Sequence, residues 1–373
     1  MRQPIVGIVG GGVLGASVAY ALASRNRKHY RIVLLESLSS GGLVTSARNS
    51  GVLHSGIHSP QDSLKASLSK RGHVLAKRFA KENGVPLLEC GMLIVASFGD
   101  LPHLITRAKT FMKIAKNGID QKIPLSIIPP WGLRKVEPFV RGIGGLLLPE
   151  VSVVDGRVFT EKLISLSEAL GVEVKYDSPV RGISKEGGLY RVFTDSFEFA
   201  FDALVNAAGL SAHRVAALAG FADYRVKFFR GEYYEILGAH AKLVNRLVYP
   251  LPVEGRATKG VHLLKRPDGR LFIGCNSVEV PADDYYEEEK TPEGFFREAA
   301  ARFVPSFRDA ELQWSFSGIR PKIAVAGGAE PDFAFDVSSV EPFFMNCIGY
   351  DSPGLSSALA AGEYVAERIN RLV

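Results

Sequence analysis

The stretch RNSGVLHSGIH, residues 48–58, sets Arg48, Asn49, His54 and His58 on a backbone of glycines and serines. It is too polar for a core strand and too poor in large side chains for an amphipathic helix. A neutral imidazole, with an ordinary pKa of about 6.5, can take a proton from a hydroxyl near neutral pH. His54 is therefore a candidate base, as are His262 in KGVHLL (259–264) and, by residue type alone, His58. Arg320, in SGIRPKI (317–323), carries a planar guanidinium, which binds a carboxylate through two parallel hydrogen bonds. Isolated histidines and arginines are more often structural or solvated, so these side chains need a scaffold that brings them together.

Part of that scaffold is written in GGGVLG (10–15), which fits G-x-G-x-x-G. It follows the apolar run PIVGIV and opens VLGASVAYALAS, a stretch of small and apolar residues suited to a helix packed on a sheet. Gly10 allows the tight turn, Gly12 lets the backbone approach a pyrophosphate, and Gly15 allows close helix–strand packing. The helix start at Val13 and Leu14 turns free N–H groups and a positive dipole end toward the phosphates. RIVLL (31–35) forms the next strand and leads into Glu36, whose carboxylate suits the adenosine ribose hydroxyls and repels a 2′-phosphate. Strand, helix and acid together point to a dinucleotide other than NADP. The fingerprint does not choose between NAD and FAD. The long polar segment 37–60, where NAD-dependent enzymes continue with regular βα units, favours a buried flavin dinucleotide.

Further along, hydrophobic spacing predicts helices over 63–83, 100–117 and 156–170, stopped by Gly84, Gly118 and Gly171. Strands are expected near 87–97, 172–176, 180–184, 190–194, 203–206, 226–237, 261–265, 271–275, 311–319 and 343–348, with a last helix over 354–372. This order predicts an α/β fold. A Rossmann-like nucleotide domain is assembled from 1–85, 146–218 and 318–373. A β-rich α+β substrate domain, 86–145 and 219–317, is inserted into it. In NAAG (206–209), Ala208 and Gly209 at a strand end permit close approach of a ligand. Before the last helix, Ser352 is a cap, Pro353 suits the first turn, and free N–H groups through Gly354, Leu355 and Ser356 can stabilise negative charge. In FRGEYYEI (229–236), neighbouring strand residues face opposite ways. Tyr234 shares its side with Arg230 and Glu232, and that side is either a pocket wall or an exposed charged face.

Composition narrows the class. Hydrophobic residues at 46% and charged residues at 23% describe a globular chain rather than a disordered one. The net charge of +6 is scattered, with no basic stripe or nucleic-acid motif, so no nucleic-acid partner is expected. Cys90, Cys275 and Cys347 are far apart and lack metal-ligand spacing, so neither a metal nor a disulfide framework is expected. No apolar run approaches the roughly 20 residues of a membrane span, and no signal peptide precedes IVGIVGGG. A cytoplasmic protein is expected, with peripheral contact at the inner face of a membrane left open.

Over nearly its whole length the chain resembles the FAD-dependent oxidoreductases of the D-amino-acid oxidase/glycine oxidase superfamily, most closely the L-2-hydroxyglutarate dehydrogenase (oxidase) branch. The resemblance rests on GGGVLG, RNSGVLHSGIH, SLKASL (63–68), LLPEVSVVDG (147–156), LVNAAG (204–209), FRGEYYEI, KGVHLL, SGIRPKI and GYDSPGLSSALAAGEYVA (349–366). It implies FAD as cofactor and oxidation of an L-2-hydroxy acid, such as L-2-hydroxyglutarate, to the 2-oxo acid by hydride transfer to flavin N5. It places Arg320 on the substrate carboxylate beside the flavin, and makes His54 or His262 the base. Tyr234 and His262 are further substrate contacts. Arg48 and Asn49 face the phosphate–ribityl side, Ser50 is a further cofactor contact, and Ala208 and Gly209 flank the cofactor. Residues 352–356 sit at the flavin N1–C2=O edge. His54 is expected at the ring as base, ring contact or covalent tether. A second substrate carboxylate would find Arg256, Lys259 or Lys322. The electron acceptor stays open among oxygen, a quinone and an electron-transfer protein. The chain departs from the family pattern at FIGCNS (272–277), where Cys275 replaces a proline. An amino-acid or amine oxidase of the glycine oxidase type is the alternative activity, and a nucleotide-binding scaffold without catalysis is the non-enzymatic one.

Overall fold

The computed structural model describes residues 2–25, 30–221, 224–253, 260–324, 332–338 and 342–372. A six-stranded sheet runs in the order Ala334–Val337, Phe343–Ile348, Ala203–Asn206, Ile5–Val9, Arg31–Leu35, Glu173–Lys175. All but the first of these strands are parallel. Their apolar runs are buried through Val6, Ile8, Leu34, Val205 and Met345, as expected of strands covered on both faces. On one face, helix Val13–Ser24 packs against the C-terminal helix Gly354–Leu372 and against Gly156–Ala169. The helices approach closely because a Cβ on Gly362 would lie 2.4 Å from the Ser17 carbonyl oxygen.

A nine-stranded sheet holds strands from 92–148 and 226–323. Its spine is Val226–Ile236, which pairs antiparallel with Leu312–Ile323 over its whole length. Strands Leu271–Gly274, His262–Lys265 and Leu247–Pro250 continue from it to Met92–Ala96. Gly144–Leu148, which straddles the expected domain boundary between 145 and 146, pairs with Met92–Ala96 in this sheet. A small sheet of Val52–Leu53, Ser152–Val154 and Leu87–Leu88 anchors the middle of residues 48–58, called the HSG segment after His54, Ser55 and Gly56.

Two expected element ends differ. The strand expected over 311–319 runs on to Ile323, with Pro321 opposite Phe228. Proline is tolerated because, among the described residues, this strand pairs on one side alone. The helix expected to stop at Gly118 runs over Leu104–Asp120 after a 3-10 turn, Phe98–His103. Gly118 serves packing instead, since a Cβ there would lie 2.4 Å from Leu125 Cδ2 and 3.0 Å from Ile57 Cδ1. The short helices Pro130–Val136, Ala212–Leu218 and Glu293–Ala301 were not expected. Among the described residues, no helix is long and apolar enough to cross a membrane.

Candidate functional site

The glycine turn shows which of its glycines serve the protein and which leave room for something else. Gly10, at φ +107°, is pressed so close that a Cβ would lie 2.5 Å from the Ala207 carbonyl oxygen. A Cβ on Gly15 would lie 1.9 Å from the Gly10 carbonyl oxygen. Both are required by the turn's own packing. Among the described residues, a Cβ on Gly12 would meet only Ser46 Oγ at 3.4 Å. Nothing in the fold demands Gly12, so the open space over it fits the pyrophosphate of a dinucleotide. Leu14 is buried in the first turn of the helix. Glu36 is held at the end of its strand, accepting hydrogen bonds from the N–H groups of Gly11 at 2.7 Å and Leu38 at 2.9 Å. Ala208 packs beneath the turn, its Cα 2.8 Å from where a Gly10 Cβ would stand. Gly209 begins the 3-10 turn that follows.

Beside the turn opens a cleft of about 1010 Å³, part of it exposed to solvent. Its wall brings together Val13, Arg48, Asn49, Ser50, His54, His262, Arg320, Ser352, Pro353, Gly354 and Leu355, all expected from sequence. Thr45, Ser46, Tyr233, Tyr249 and Cys275 join them and were not expected as site residues. Ser46 had a weak signal, a hydroxyl within the polar segment after Glu36; it accepts a hydrogen bond from the Val13 N–H at 2.9 Å. The HSG segment reaches this wall because Gly318 has no side chain: a Cβ there would lie 1.9 Å from the Arg48 carbonyl oxygen. Asn49 ties the segment down, donating from Nδ2 to the carbonyls of Thr45 and Ser46 and accepting from the Gly51 N–H. Ser356 stands behind the wall and locks it to the C-terminal helix, its Oγ accepting the His54 N–H at 2.7 Å and donating to the Val52 carbonyl at 3.2 Å.

Tyr234 does not reach the cleft. Its hydroxyl donates to the Thr291 carbonyl at 3.1 Å and its ring packs on Phe296. The cleft-facing side of that strand carries Gly231 and Tyr233 instead. The opposite side is not an exposed charged face either. Arg230 and Glu232 form a fully buried ion pair at 3.0 Å. Arg230 also donates to the carbonyls of Glu288 and Glu289. The segment 285–291 thus covers this side. Lys322 is engaged with Asp351, His58 is absent from the cleft wall, and Arg256 and Lys259 lie outside the described residues.

The two histidines differ in kind. His262 is 5% exposed and stacks on Tyr249 with ring centroids 4.0 Å apart. Its Nδ1 lies 3.2 Å from the Gly260 carbonyl oxygen, which assigns the proton to Nδ1. Nε2 is then an acceptor, with no hydrogen-bond partner among the described residues. This leaves a buried acceptor among the residues lining the cleft, with which a ligand's donor could pair. Burial pushes the His262 pKa down to about 3, with His54 and Arg320 adding to the effect and the Gly260 carbonyl opposing it. His262 is therefore neutral at physiological pH. His54 meets Tyr249 edge-on at 6.2 Å. Burial raises the Tyr233 and Tyr249 hydroxyls well above the usual phenol range, so both stay protonated. Arg320 is half-buried, and its Nη2 lies 3.5 Å from the Asn276 carbonyl oxygen. Arg48 lies over the Tyr286 ring at 4.5 Å.

The chain as a whole is similar to known proteins. The chain is 29% identical over 412 residues to the mitochondrial L-2-hydroxyglutarate dehydrogenase of Arabidopsis thaliana, covering 98% of this chain and 83% of that one. It is 32% identical to the L-2-hydroxyglutarate dehydrogenase of Escherichia coli K12, over 73% of this chain, and spans 63% of that relative's length. Its fold superposes on the dithionite-reduced, FAD-bound L-alpha-glycerophosphate oxidase of Mycoplasma pneumoniae with a TM-score of 0.83 and 25% identity, covering 100% of this chain and 95% of that one. The family model described as FAD dependent oxidoreductase matches residues 6–368, taking in the nucleotide turn and every described wall of the cleft. The chain therefore belongs to the FAD-dependent oxidoreductases of this family, and FAD is its cofactor.

Proposed function

We propose that the protein oxidises an L-2-hydroxy acid, L-2-hydroxyglutarate or a close relative, to the corresponding 2-oxo acid. The observation that carries this reading is the meeting of Arg320, His54 and His262 on one wall. Arg320 offers a fork of donors to the substrate carboxylate. His262 Nε2 accepts a hydrogen bond from the substrate hydroxyl and orients it. Protonating His262 would bury a cation beside Arg320, so it stays an acceptor, and His54 takes the hydroxyl proton. Tyr233 and Tyr249 present neutral rings that exclude water. Gly12, Val13, Glu36 and the 45–50 segment would hold FAD, which would supply the two-electron oxidation when bound. The names of the Arabidopsis and Escherichia relatives support the substrate class. A second reading is a phosphorylated polyol, favoured by the likeness to the Mycoplasma glycerophosphate oxidase, because a guanidinium holds phosphate as readily as carboxylate. An initial-rate panel with a redox dye separates the readings. Both enantiomers of 2-hydroxyglutarate, L-lactate, glycerol 3-phosphate, glycine, sarcosine and proline would be compared. The expected result is a kcat/KM at least about tenfold higher for an L-2-hydroxy acid. Preference for glycerol 3-phosphate or for an amine would replace this reading with one of the others.

The same reading includes docking at an anionic membrane surface. Helix Leu104–Asp120 exposes Leu104, Ile105, Met112 and Ile119, with Ile105 76% exposed. At roughly 100° per residue these share a sector of about 100°, bordered on one side by Lys109, Lys113 and Lys116. Phe98 and Leu101 precede it, and Trp131, 76% exposed, follows it in the chain. An apolar stripe edged by lysines suits the headgroup–acyl boundary of an anionic bilayer, and like charges disfavour a second copy there. Co-sedimentation is expected with phosphatidylglycerol-containing vesicles, weakened by salt, and lost in Ile105→Glu/Met112→Glu with dye-linked activity unchanged. Equal recovery of wild type and variant in the supernatant, or a dimer that the variant breaks, would contradict membrane docking.

A further inference from the structure

Behind the cleft lies a buried charge cluster that the proposed chemistry leaves unused. Asp351 lines the cleft just ahead of the C-terminal helix. Its Oδ1 accepts a hydrogen bond from Lys65 Nζ at 2.8 Å, and its Oδ2 lies 3.8 Å from Lys322 Nζ. All three residues are less than one-tenth exposed. Each comes from a different part of the chain. Lys65 stands in the first turn of helix Leu64–Glu82, and Lys322 on the strand that carries Arg320. Asp351 precedes the residues 352–355 that complete the cleft wall.

A mere staple between these elements does not require ions. Desolvating each charge costs several kcal/mol, and apolar residues of similar volume often hold elements together as well. What buried charges do, and apolar groups cannot, is project a field that solvent barely screens. Two-electron reduction converts FAD, with uptake of one proton, into a monoanion, so its equilibrium responds to each unit of charge nearby. We propose that the Lys65–Asp351–Lys322 cluster positions the 351–355 turn against the cofactor and sets the reduction potential of the bound flavin. The two ammonium groups raise that potential and the Asp351 carboxylate lowers it. The proposal rests on FAD binding in the cleft and not on the substrate assigned above.

The test is the midpoint potential of the holoprotein, measured by equilibration with a reference dye in the absence of substrate. Lys65→Met and Lys322→Met are each expected to weaken binding of reduced relative to oxidised flavin by about tenfold, which lowers the potential by about 30 mV for a two-electron couple. Asp351→Asn is expected to raise it by a similar amount. The double variant Lys65→Met/Asp351→Asn, in which the pair becomes neutral, is expected to return close to wild type. A structural role alone would shift all variants in one direction, or none, and either outcome overturns the proposal. Lys322→Met and the neutral double variant keep the comparison available if a single variant loses FAD. A wild-type protein that takes up no FAD would instead overturn the cofactor assignment.

Discussion

Replacing His54 with alanine is expected to slow reduction of the bound flavin by L-2-hydroxyglutarate about 10²–10⁴-fold, the usual contribution of a positioned general base. FAD should stay bound. The link from the HSG segment to the C-terminal helix runs through the His54 backbone N–H and Ser356 Oγ, which the substitution leaves in place. Rapid-mixing absorbance near the flavin band, followed anaerobically across pH, measures the effect. The wild-type rate should rise with pH along a limb that the variant lacks. His262→Ala should retain that limb, because burial holds His262 neutral. If the limb vanishes with His262 and survives without His54, the two assignments exchange.

Arg320→Met is expected to cost 2–5 kcal/mol in kcat/KM, the range for truncating one partner of a buried charge pair, or about 30- to 4,000-fold. Most of the loss should appear in KM, because the carboxylate is bound alike in ground and transition states. The readout specific to this role is discrimination. Wild type should favour the free acid over its methyl ester, and Arg320→Met should treat them nearly alike. Arg320→Lys should recover part of the loss, since an ammonium supplies charge without the planar fork. A variant that keeps the preference for the free acid would move the carboxylate site elsewhere on the wall.

What could be read from the sequence was what local spacing encodes and what the resemblance of short motifs to a known family implies. The helix over Val13–Ser24 follows from glycines before it and small apolar residues within it. Arg320, His262 and the 352–355 turn each sit in short motifs, and the structure brings them to one cleft. What could not be read depends on distant cover. Strand parity separates Tyr233 from Tyr234, but which side faces the cleft is decided by segment 285–291 folding over Arg230 and Glu232. Lys65 reads as one more lysine of an amphipathic helix. Its partner Asp351 is 286 positions away, and no periodicity marks such a pair. Gly118 looks like a helix stop, while its actual reason is contact with Ile57 and Leu125.

The most direct test is an anaerobic titration of the purified, FAD-loaded protein with L-2-hydroxyglutarate, following the absorbance near 450 nm. Stoichiometric bleaching with formation of 2-oxoglutarate, and none with the D-enantiomer, is the expected result. A flavin that stays oxidised with every 2-hydroxy acid, yet bleaches with glycerol 3-phosphate or an amine, would contradict the account.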